Sequence, residues 1–256
     1  MGRNDPALQR ASGFGAHLGH LGLAAMFGAF VFLGWFLSTS SYLVRIVSAV
    51  MGAVCVYGML LTGMRSAVLG VVLGVIFIAC CARLKGIALA IGGGILGFAL
   101  LFALMPYLPA SENLLRIVGR GERQGLLSAS NDAHVQVFWD SLHVIGTHPW
   151  TGVGFGEALA AHNLVLQTLN LGGLIALVGL LVIWVTFFLV AFDRFRVGMT
   201  KANAMQTCLL AAVIGYFVIA QFEPLIWDRH LWFFITLTFF RPATRSGHGA
   251  GRRSRA

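Results

Sequence analysis

The chain has 256 residues, of which 58% are hydrophobic and 11% charged, a balance too apolar for a domain solvated on all sides by water. Its formal net charge of +9 does not mark a nucleic-acid binder, because the cations are spread among connections between apolar runs instead of gathering on one face. What remains is a membrane protein.

In chain order, apolar runs of bilayer-spanning length lie at 21–37, 43–61, 67–81, 87–105, 172–192 and 205–222. A shorter one at 231–240 counts as a seventh span if it extends back to Leu225, with Asp228 and Arg229 at the interface. The predicted fold is all-α: a multi-spanning bundle of about seven transmembrane helices with one large periplasmic loop that contains an amphipathic helix. The chain divides into N-terminal spans (1–105), the loop (106–163), C-terminal spans (164–240) and a basic tail (241–256), read as a disordered cytoplasmic segment held near anionic headgroups.

Orientation follows from charge. With the loop outside, Arg45, Arg83, Lys85, Arg194, Arg196, Lys201 and the arginines after Phe240 all fall inside, as the positive-inside rule favours. Met1 then lies outside, and residues 1–20 lack the form of a cleavable signal peptide, so an upstream segment is expected to be missing.

Before residue 106 the connections are short, and neighbouring helices should pack as antiparallel hairpins. Gly70 and Gly74, and the cluster Gly92, Gly93, Gly94 and Gly97, permit close helix approach. The four cysteines sit in or beside apolar spans, which suits packing better than a disulfide framework or zinc site. His17 and His20, one helical turn apart, lack a third ligand, so no metal is predicted.

The loop holds five of the nine acidic residues and four of the eight histidines, so chemistry belongs there. Val135, Phe138, Leu142 and Ile145 recur at helical spacing beside Trp139, with Asn131 or Asp132 as N-cap. This helix should lie on the outer bilayer surface, Trp139 and Trp150 at headgroup depth, end near Gly146 and Pro149, and roof the bundle. The following THPWTGVGFG has glycines at 152, 154 and 156 that allow tight turns and close approach of backbone to a ligand. No strand precedes it, which excludes a dinucleotide fold.

The loop closes on His162 and Asn163 directly before a helix, and Arg65 ends the short link LTGMRSA on the same outer face. Read from the residues alone, His162 is a capping or interfacial histidine or a base, and Arg65 a snorkelling anchor or a ligand for a lipid-linked phosphate.

The succession RASGFGAHLGHLGLA, LTGMRSAVLG, HPWTGVGFG and HNLVLQTLNLGGL resembles the motifs of the O-antigen ligase and polymerase superfamily over most of residues 10–240. The chain looks like a short or N-terminally truncated member. The resemblance implies a bacterial inner-membrane glycosyltransferase with a periplasmic active face. It would move a glycan from an undecaprenyl diphosphate donor to an acceptor hydroxyl on lipid A-core, a growing polysaccharide or a protein, without cofactor or metal. His162 would be the catalytic base and Arg65 would bind the diphosphate. The family's second loop arginine is missing: HVQVFW stands in its place, so the role falls to His134 or to Arg116, Arg120 or Arg123, with Arg123 favoured. Asn163 and Glu223 are candidate acceptor-side or accessory residues. The competing expectations are a transporter or flippase for lipid-linked glycans and an inactive truncated family member.

Overall fold

The computed structural model describes residues 18–83, 124–156, 161–222 and 229–239. Among these, seven helices occur: α1 (Leu18–Ser38), α2 (Tyr42–Leu61), α3 (Arg65–Cys81), α4 (Gln124–Thr147), α5 (Leu164–Val197), α6 (Ala204–Ile219) and α7 (Arg229–Phe239). The described chain is all-helical. The expected span at 87–105 with its glycine cluster, and the basic tail, lie outside the described residues.

Three helices, α1, α2 and α5, are long and apolar enough to cross a membrane. The exposed surfaces of α2 and α5 are aliphatic and aromatic: Val47, Val50 and Val54 on one, Ile175, Val182 and Leu189 on the other. Apolar faces of this extent are not tolerated in water and mark a membrane protein. The other described helices at expected spans are shorter than these three, with 17 residues in α3, 16 in α6 and 11 in α7. At 1.5 Å per residue α6 is about 24 Å long, against about 30 Å of hydrocarbon. Its surroundings explain how so short a helix is accommodated, because α6 sits in the middle of the bundle with most of its side chains buried by protein, including Leu210, Val213, Tyr216 and Ile219.

Lipid supplies no hydrophobic drive between helices, so α6 is held by close packing. The predicted small-residue pair on α3 provides it. A Cβ on Gly70 would lie 2.7 Å from the Gly215 carbonyl oxygen, and one on Gly74 would lie 2.8 Å from that of Ala211 and overlap the Phe30 ring. Stepping forward along α3 steps backward along α6, so the two helices are antiparallel. Opposite them, Phe217 meets the rings of Trp184 and Phe187 at 5.3 and 5.2 Å, tying α5 to the same core.

Helix α4 corrects one expectation. It begins at Gln124, several residues before Asn131 and Asp132, which therefore lie inside the helix and not at its cap. It ends at Thr147, just ahead of Pro149, as the sequence predicts. Its buried edge is Ser141, with Val137 and Val144 partly covered, while Val135, Phe138, Trp139 and Leu142 are exposed. At 100° per residue these two edges lie on opposite sides of the helix. The apolar stripe thus points away from the described helices; Trp139 is 63% exposed.

Candidate functional site

The register of α3 on α6 decides which residues share an end of the bundle. Five residues back from Gly70 is Arg65, and five residues on from Gly215 is Ala220, where the Ala220 carbonyl accepts the Leu164 backbone N–H at 2.8 Å. Arg65, Ala220 and the start of α5 with His162 and Asn163 therefore lie at one end. The start of α1 joins them, since a Cβ on Gly22 would lie 2.6 Å from Met64 Sδ and 3.2 Å from Thr62 Oγ1.

The link carrying Arg65 is built from its own sequence. Gly63 adopts φ 64°, the left-handed residue that ends α2, and its N–H donates to the Leu60 carbonyl at 3.0 Å. The buried Thr62 hydroxyl donates to the Met59 carbonyl at 2.6 Å and accepts the Met64 N–H at 3.3 Å. With the turn held this way, Arg65 becomes the first residue of α3 and is exposed.

His162 is held by its neighbour. Asn163 is the N-cap of α5: its Oδ1 accepts the N–H of Val165 at 3.0 Å and of Leu166 at 3.1 Å, and its Nδ2 donates to Gln221 Oε1 at 3.1 Å. Gln221 in turn donates through Nε2 to the Phe217 carbonyl at 3.2 Å. Both ends of the Asn163 amide are thus engaged in placing the start of α5 on the end of α6. Ala161 and Leu164 on either side are fully buried, and the His162 Nδ1 is buried from solvent. Replacing Asn163 with alanine should cost about 1 kcal/mol through the lost cap. Thermal unfolding in detergent should show the loss, and Asn163→Asp, which keeps the accepting oxygens, should recover most of it.

Beyond the cap, α5 is broken. Gly172 and Gly173 have non-helical φ/ψ, and Gly173 sits at φ 60°, ψ −155°, a region essentially reserved to glycine. The break frees backbone groups that lipid could not satisfy, and the THPWTGVGFG loop supplies their partners. The Val153 and Gly154 N–H groups donate to the carbonyls of Asn170 at 2.8 Å and Leu171 at 3.0 Å. In exchange, the Leu174 and Ile175 N–H groups donate to the carbonyls of Pro149 at 2.9 Å and Trp150 at 3.4 Å. Two of the motif's glycine properties are used here. A Cβ on Gly152, at φ 61°, would lie 2.5 Å from the Asn170 oxygen, and one on Gly173 would run into the backbone of Trp150 and Thr151. The close backbone approach expected toward a ligand is, at Gly152, an approach to α5 itself.

Just before the break, the amides Gln167 and Asn170 are both 0% exposed. Among the described residues neither Oδ1 nor Nδ2 of Asn170 has a hydrogen-bond partner, a burial that costs about 1 to 3 kcal/mol. These polar groups lie on the half of α5 that begins at His162, and the sequence reading passed over them. Their signal was present as two amides three residues apart in an apolar helix, followed by a Gly-Gly doublet, the signature of a broken span.

Of the other predicted site residues, His134 lies on α4, while Arg116, Arg120, Arg123 and Glu223 lie outside the described residues. Among the described residues no group of three or more His, Cys, Asp or Glu side chains is placed to hold a metal ion. The opposite end of the bundle is different in charge. Among the described residues, Arg45, Arg83, Arg194, Arg196 and Lys201 collect there with Asp193 as the one acid, whereas Arg65 lies at the His162 end.

No protein family, curated protein or solved structure matches this chain.

Proposed function

We propose that the protein is a membrane glycosyltransferase of the O-antigen ligase type, moving a glycan from an undecaprenyl diphosphate carrier to an acceptor hydroxyl at the periplasmic face of a bacterial inner membrane. The observation that carries this reading is the shared end of Arg65 and His162, which the α3–α6 register and the Leu164–Ala220 hydrogen bond bring about. An imidazole titrates near neutrality and suits proton removal from a hydroxyl. A guanidinium offers two parallel donors to phosphate oxygens.

In the proposed reaction the acceptor oxygen attacks the anomeric carbon and its proton passes to His162, through Nε2 because Nδ1 is shielded. The bond from that carbon to the diphosphate oxygen breaks. The leaving group takes the electron pair, and Arg65 holds the charge that develops there, with a second cation supplied from Arg123, Arg120, Arg116 or His134. The acceptor is lipid A-core, a growing polysaccharide or a protein hydroxyl, and Glu223 is its candidate contact. The cation-rich opposite end supports a cytoplasmic placement for Arg45, Arg83, Arg194, Arg196 and Lys201 by the positive-inside rule.

A transporter of the same lipid-linked glycan would place ionisable groups near the middle of its spans. In α1, α2, α3, α5 and α6 the charged residues fall within a few residues of the helix ends, which favours chemistry at a surface over conduction. The test is reconstitution of the full chain in vesicles with a labelled undecaprenyl diphosphate glycan and a panel of acceptors. Labelled acceptor and released undecaprenyl diphosphate are expected. Donor that crosses the bilayer with no acceptor labelled would replace the transferase with the transporter.

A further inference from the structure

At the end of the bundle away from His162, the last turn of α3 meets the chain leaving α5. The Met199 N–H donates to the Cys81 carbonyl at 2.7 Å, and Gly198 makes the bend with φ 80°. A Cβ on Gly198 would lie 3.3 Å from the Cys81 oxygen and 3.7 Å from Arg83 Nε, so the Arg83 guanidinium rests against this junction. Arg83 is the one non-glycine residue with positive φ among the described residues, at 69°, a conformation that costs about 1 to 2 kcal/mol. Arg194 comes to the same place from α5. Its carbonyl accepts the Gly198 N–H at 3.0 Å, its Nη2 donates to Gln206 Oε1 at 2.7 Å, and it lies within electrostatic reach of Cys81.

Two features are left over after the helix ends are accounted for. Among the described residues the buried Arg194 Nε has no hydrogen-bond partner, and neither Arg83 nor Arg194 forms an ion pair, although Asp193 is adjacent in sequence. A helix C-terminus attracts a cation, but it does not call for a desolvated N–H without a partner among the described residues. Beside the junction the surface of α5 is apolar, with Phe192, Phe195 and Val197 exposed.

We propose that the α3–α5 junction binds the phosphate of an anionic phospholipid, with Arg83 and Arg194 as its guanidinium ligands and the acyl chains along Phe192 and Phe195. The chemistry is that of paired guanidinium forks around phosphate oxygens at the depth where an apolar helix leaves the hydrocarbon. The apolar flank selects a lipid over a free anion, which would leave that surface uncovered. The site does not depend on the glycan reading, since it lies at the other end of the bundle.

The test uses the full chain in detergent micelles, titrated with phosphatidylglycerol or phosphatidylcholine of matched acyl chains, with bound lipid read by native mass spectrometry. Each guanidinium should contribute about a fivefold preference for the anionic lipid, or about 25-fold for the pair. Arg83→Gln with Arg194→Gln should abolish the preference, while Arg45→Gln, on α2 at the same end, should leave it. Equal retention of both lipids overturns the site. So does an equal loss in Arg45→Gln, which would mean diffuse surface charge. Displacement of the lipid by millimolar inorganic phosphate, without any lipid preference, would reassign the junction to a free phosphate and overturn the lipid. Should the double variant not enter the membrane, Arg83→Gln alone, at an exposed position, must show the fivefold drop.

Discussion

His162→Ala should lower the rate of glycan transfer by about a hundredfold to ten-thousandfold, the span that positioned general bases contribute. Arg65→Ala should lower it by about a hundredfold to a thousandfold, as removal of a group that stabilises developing oxyanion charge does. The two losses are expected to differ in kind. The His162 variant should still bind donor, because the base acts on the acceptor hydroxyl. The Arg65 variant should bind donor more weakly, and Arg65→Lys should restore charge without the two-pronged hydrogen bonding and recover only part of the rate. Neither change should unfold the bundle. Arg65 is exposed, and the cap that fixes the start of α5 is the Asn163 amide, not the imidazole. Reconstituted vesicles with labelled donor provide the measurement, with membrane content and unfolding temperature as controls. Full product formation by His162→Ala removes the proposed base, and an unchanged donor affinity in Arg65→Ala removes the proposed phosphate ligand.

The second large effect is structural. Gly173→Ala should release the loop from the break in α5. Two costs add: a φ/ψ pair outside the range of L-residues, about 1 to 3 kcal/mol, and overlap of the new methyl with the Trp150 backbone, about 1 to 3 kcal/mol more. Together they rival a large part of the 5 to 15 kcal/mol by which a typical domain is stable. The cheapest escape is local, so the four backbone hydrogen bonds of the exchange should open before the helices separate. Amide hydrogen exchange is the readout. Val153, Gly154, Leu174 and Ile175 should lose protection together in Gly173→Ala, and in Gly152→Ala, which meets α5 from the other side. Protection at all four with an unchanged unfolding temperature would mean that the interlock does not hold the loop.

The interlock also bears on function. It seats the motif that follows α4 against the half of α5 that starts at Leu164, two residues after the candidate base His162. A loop variant that keeps its hydrogen bonds should therefore leave His162 in place, whereas one that loses them should disturb the site without touching it.

Much of this protein was legible from residue order. The apolar runs located every described helix but α4, which the helical spacing of its apolar residues announced, because lipid and protein interior impose the same requirement on a backbone: its polar groups must be satisfied within the segment. The glycine pair at positions 70 and 74 announced a close helix contact, since only small residues let two backbones approach. His162 at a helix start and Arg65 at a short link were readable for the same local reason. Partners and depth were not readable. That α6 would be the covered central helix, short because protein and not lipid surrounds it, depends on α1, α3 and α5 packing around it. That Gly152 would meet α5 depends on the break at Gly172 and Gly173 further along the chain, where the free N–H and C=O groups of one segment find those of another. The face that α4 turns outward is the one opposite its covered edge, Ser141 with Val137 and Val144. That Arg65 and His162 share one end of the bundle depends on the antiparallel register of α3 on α6. A periodic pattern states which residues share a face, and only the packed structure states what that face meets.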